Sequence, residues 1–144
     1  MLVPAGQTEF ARDKTFGYHS SHLGEYVEEK SGGRYRKEDS IYITLSMLRA
    51  QKLEEITQLL LQAENFRPVL VDAAAQSDVE TFAICLLRAI KAGKEFLIRS
   101  AAALPKVLGN ISDRPLLDRQ ELLGAEADEA AGENYGGIVL IGSH

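Results

Sequence analysis

Polar and charged residues follow each of the short apolar runs in this chain. Thr44 and Ser46 close "SIYITLS", Asp72 follows "VLV", Arg99 and Ser100 follow "FLI", and Ser143 and His144 follow "IVLIG". An arginine so placed can grip a carboxylate or a phosphate with two parallel hydrogen bonds. Arg99 fits that role, and it equally fits an ion pair with Asp72 across neighbouring strands. Asp72 itself either contacts a ligand or holds the "AAAQSD" loop by accepting backbone N–H bonds, as short polar side chains do in turns.

Other chemistries are weaker. His19 and His22 stand three apart in "GYHSSHLG", but no third ligand at a fixed spacing accompanies them, so no metal site is expected. Cys85, the only cysteine, lies among Ile84, Leu86 and Leu87; it reads as a packed thiol, and no internal disulfide or cysteine cage is available. The chain has no Gly-rich loop with a phosphate-binding lysine, no G-x-G-x-x-G and no nucleophile elbow. No residue is singled out as catalytic.

Charge and hydropathy exclude further classes. With 21 acidic against 16 basic residues the net charge is -5, and no Lys/Arg block is long enough to track a phosphate backbone, so nucleic acid is not an expected partner. Neither a basic-then-apolar leader nor an apolar run of about 20 residues occurs, so no membrane span is expected and a soluble cytoplasmic protein is the default.

The elements that must position these residues alternate. "SSHLGEYVEEKSGG" predicts a helix capped at Ser20 or Ser21 and stopped by Gly32 and Gly33. Residues 40–45 predict a strand, and Leu53, Ile56, Leu59, Leu60 and Ala63 give the apolar stripe of a helix. "VLVDA" predicts a central strand; Ser77 and Glu80 predict a capping box for a helix that runs past Ile90 to Gly93. "EFLIR" predicts a third strand, "SAAALPKVLGN" a short helix or loop, and Asp118 with Glu121 a second capping box. "GAEADEAAGENYGG" reads as an acidic linker before a last strand, Ile138 to Ile141. Strands alternating with helices predict an α/β fold: a parallel, Rossmann-like sheet with helices on its faces and a ligand edge at the carboxyl ends of the strands.

Three stretches resemble a known family. "TEFARDKTFGYHSSHLGEYVEEKSGGR", "VLVDAAAQSDVETFAICLLRAIKAGKEFLIRSAAA" and "GGIVLIGSH" resemble, in that order, the four-carbon acid sugar kinases, which phosphorylate threonate, erythronate and 3-oxo-tetronate with ATP. The resemblance implies residues 1–123 as part of a sugar-acid-binding domain lacking its first strands, 124–136 as a linker, and 137–144 as the first strand of an absent nucleotide-binding domain. It implies Arg12, Asp13, Asp72, Arg99 and Ser100 as substrate-binding candidates and Gly142, Ser143 and His144 as the nucleotide edge. ATP and Mg belong to the complete enzyme, not to this chain alone.

The pattern is incomplete around Arg99. Where the family carries Arg-Thr-Ala-Ala-Ser-Phe, this chain has Ser100 for the threonine, Ala103 for the serine and Leu104 for the phenylalanine; Leu108 falls near a later arginine, and Asp72 replaces an asparagine. The implied function is the sugar-acid-binding part of a kinase that is not competent alone, working as a homo-oligomer or with a complementing kinase subunit. The alternative is a non-enzymatic ligand-binding or assembly protein, including a dimer that exchanges its terminal strand.

Overall fold

Branched and aromatic side chains at 41–43 and 69–71 build the sheet. β1 (Ile41–Ile43) and β2 (Val69–Val71) pair in parallel, with Ile41 opposite Val69 and Ile43 opposite Val71. The structure is a computed structural model that describes residues 3–118 together with Glu121 and Leu122. It divides into two units, Met1–Ile111 and Ser112–His144. Around the strands of the first unit lie α1 (Leu23–Lys30), α2 (Leu45–Arg49), α3 (Leu53–Leu61), α4 (Gln76–Lys91) and α5 (Ala103–Leu108). Short 3-10 turns at Ala5–Gln7, Glu9–Arg12 and Lys37–Asp39 complete it. The α/β class and the parallel pairing expected from the alternation are present.

The core forms where α2, α3 and α4 meet the strands. Ile43, Leu48, Ile56, Leu60, Cys85, Leu86 and Ala89 are buried there, with Val69, Val71, Phe82 and Phe96 packed against them. Burying a side chain of leucine size stabilises the fold by about 1.5–3 kcal/mol, so this cluster fixes how the crossover between the strands sits. Cys85 is fully buried and directs its thiol to the Leu53 carbonyl at 3.6 Å, and burial pushes its pKa up. Packing is its role, as its apolar neighbours predict.

Local chemistry sets the ends of the elements. α1 stops at a double glycine: Gly32 donates to Glu29 O (3.2 Å) and Gly33 to Glu28 O (2.9 Å), with φ of 62° and 80°. Both conformations are left-handed, so glycine is the residue that takes them without strain. The predicted strand 40–45 is shorter than expected. Thr44 caps α2 by accepting the Met47 N–H (3.4 Å), which turns Leu45 into a helix instead of extending β1.

Two other expectations are corrected. The capping box at Ser77 and Glu80 does not form; Ala75 is the N-cap of α4, and Asp78 three residues on accepts the Ala75 N–H at 2.9 Å. Among the described residues no strand forms over 95–99, where the third was expected. Phe96 turns into the core while Leu97 is 95% exposed, and these residues have no ladder partner among the described residues. A branched apolar run is a strand only where a neighbour supplies its hydrogen bonds.

In the second unit Asp118 and Glu121 form the expected capping box: Glu121 N donates to Asp118 Oδ1 (2.8 Å) and Asp118 N to Glu121 Oε2 (3.1 Å). The linker read at 124–136 and the terminal strand at 137–144, with Gly142, Ser143 and His144, lie outside the described residues.

Candidate functional site

Parallel pairing brings the polar residues after β1 and β2 to one edge. Asp72 N donates to Ile43 O (3.0 Å), so Thr44 and Asp72 leave the sheet side by side. Thr44 Oγ1 and Ser46 Oγ are hydrogen-bonded at 2.9 Å. The Asp72 carboxylate is exposed, and no hydrogen bond or ion pair engages it among the described residues. Two hydroxyls and a solvated carboxylate therefore share the carboxyl end of the sheet, the edge at which parallel α/β sheets bind ligands.

A buried carboxylate braces this edge. Asp78, only 3% exposed, accepts from the backbone N–H groups of Ala74 (3.0 Å) and Ala75 (2.9 Å) through one oxygen. Its other oxygen faces Arg49 Nε at 3.4 Å, which ties the end of α2 to the loop after β2. The Ala74 N–H bond, opposed by desolvation and aided by Ala75 and Arg49, holds the Asp78 carboxyl below its ordinary pKa. Asp78 and Arg49 were not among the residues marked by sequence. The signal for Asp78 was its place three residues after Ala75, but an alanine does not advertise itself as a cap.

The other sequence candidates lie elsewhere. Arg99 and Ser100 are exposed in irregular chain, because the strand that would have aimed them does not form; the Asp72–Arg99 ion pair is not made. Arg12 is exposed at the end of a 3-10 turn. Asp13 spends Oδ1 on its own turn, accepting from Thr15 N (2.8 Å) and Phe16 N (2.7 Å). Gly17 closes that turn so tightly that a Cβ there would lie 2.3 Å from Asp13 O.

His19 and His22 do not converge. Glu29 accepts both from His19 N and from its ring Nδ1 at 3.0 Å, while the His22 ring leans on Tyr42 with centroids 5.7 Å apart. Among the described residues no group of three or more His, Cys, Asp or Glu side chains could hold a metal ion. No described helix is long and apolar enough to cross a membrane.

Against known proteins, residues 1–108 match the family described as a sugar-binding N-terminal domain. No curated protein and no solved structure matches the chain.

Proposed function

Because the chain belongs to the sugar-binding N-terminal domain family, we propose that it binds a four-carbon sugar acid at the carboxyl end of β1 and β2. In this reading the chain supplies the acceptor side of an ATP-dependent kinase of the threonate, erythronate or 3-oxo-tetronate class. The nucleotide and its magnesium are held by another part of the complete enzyme. The reading is carried by the hydroxyl pair of Thr44 and Ser46 beside the solvated Asp72 carboxylate, a set of donors and acceptors suited to sugar hydroxyls.

The chemistry asked of this edge is positioning. Phosphoryl transfer gains most from holding donor and acceptor in register, and a rigid strand end is a suitable holder of the acceptor. Calorimetric titration with D-threonate, D-erythronate and ATP tests the reading. Binding of a sugar acid without ATP is the expected result; tight ATP binding by the chain alone, or no sugar acid bound, overturns it.

A second reading is an assembly protein without catalysis. It is favoured by exposed apolar side chains, Leu97 at 95% and Leu87 at 53% among them. On this reading the protein is a homo-oligomer, and sedimentation velocity over a range of concentrations separates it from a monomer.

A further inference from the structure

We propose that Arg49, not Arg99, holds the carboxylate of the sugar acid. The proposal rests on the sugar-acid reading above and deepens it by dividing the ligand between two sets of groups. Asp78 is buried, and two backbone N–H groups fix one of its oxygens, so its position is determined by α4 and the loop before it. Arg49 approaches the other oxygen through Nε alone. The tether leaves both terminal nitrogens of the guanidinium uncommitted among the described residues, on a side chain that is 58% exposed. A guanidinium with those two nitrogens available is a planar fork that matches a carboxylate with two parallel bonds.

Place and charge support the same assignment. Asp78 bonds the loop that carries Asp72 out of β2, and Thr44 caps the short helix α2 that ends at Arg49, so the Asp78 tether draws Arg49 toward the end of the sheet at which the hydroxyl pair stands. Arg49 is set on packed helices, whereas Arg99 stands in irregular, exposed chain. Asp72 would repel a carboxylate and accept from hydroxyls. The ligand therefore presents its carboxylate to Arg49 and its hydroxyls to Thr44, Ser46 and Asp72.

The test compares D-threonate with threitol, the neutral four-carbon polyol, by NMR titration of the full chain. In Arg49→Met, threonate affinity falls about 10- to 100-fold, the range for a lost charge-assisted hydrogen bond, and threitol binding is unchanged. Arg49→Lys keeps the charge without the fork; it folds as the parent does and recovers part of the threonate affinity. Equal threonate affinity in Arg49→Met and the parent overturns this assignment and leaves the sugar-acid reading standing. Equal losses for threonate and threitol in both variants also overturn it, since they mark Arg49 as a brace of the fold. Absence of threonate and erythronate binding to the parent protein overturns the sugar-acid reading and the assignment together.

Discussion

Asp78 shows how much one buried side chain can decide. Its carboxylate orders the Ala74–Ala75 turn and anchors Arg49, so Asp78→Asn removes charge-assisted bonds at both ends. The variant is expected to melt several degrees below the parent at pH 7. The pH dependence has a definite sign. The folded pKa of Asp78 lies below its unfolded value near 3.9, so its contribution is present above that value and is lost as pH falls through the folded pKa. Thermal melts between pH 6 and pH 2 (about the range over which carboxylates protonate) should show a loss of stability on acidification that is smaller in Asp78→Asn. Asp72 is the opposite case, exposed and outside the framework. Asp72→Ala should weaken sugar-acid binding several-fold by calorimetry and leave stability within about 0.5 kcal/mol. The sequence marked Asp72 because it follows an apolar run. It did not mark Asp78, whose partners are backbone amides and an arginine 29 residues away.

Elements whose stabilising contacts are local were legible, and those that depend on a distant neighbour were not. The stripe of α3 and the glycine stop of α1 follow from periodicity and φ alone, and both are found where expected. "EFLIR" has strand composition but no ladder among the described residues, and no local pattern reveals whether a neighbouring strand exists. α4 carried a second surprise: Ile84, Leu87 and Ile90 stay 44–53% exposed although they are apolar. Two substitutions probe the elements. Leu60→Ala empties a site only 1% exposed in the core and should cost about 2–5 kcal/mol in urea unfolding. Gly24→Ala acts by collision. A Cβ there would come within 2.0 Å of the Tyr42 hydroxyl, which is held by its bond to Lys37 O (2.7 Å). Displacing α1 from β1 should cost about 1–3 kcal/mol, the range for overpacking, and Tyr42→Phe in the same chain should recover part of it.

At the scale of the whole molecule, the family match and the first structural unit coincide closely, ending at 108 and 111. Residues 1–111 are therefore expected to fold as a unit, and limited proteolysis should leave a product near that length. The same unit contains the only thiol of the chain, Cys85, sealed in the core with its ionisation disfavoured. A reagent that alkylates thiolates must wait for the core to open before it can react. Cys85 is thus a built-in clock: at fixed reagent and pH its alkylation rate measures how often the closed core opens. Any small molecule that binds only the closed form will slow that clock in proportion to its occupancy, which allows candidate sugar acids to be ranked without an activity assay.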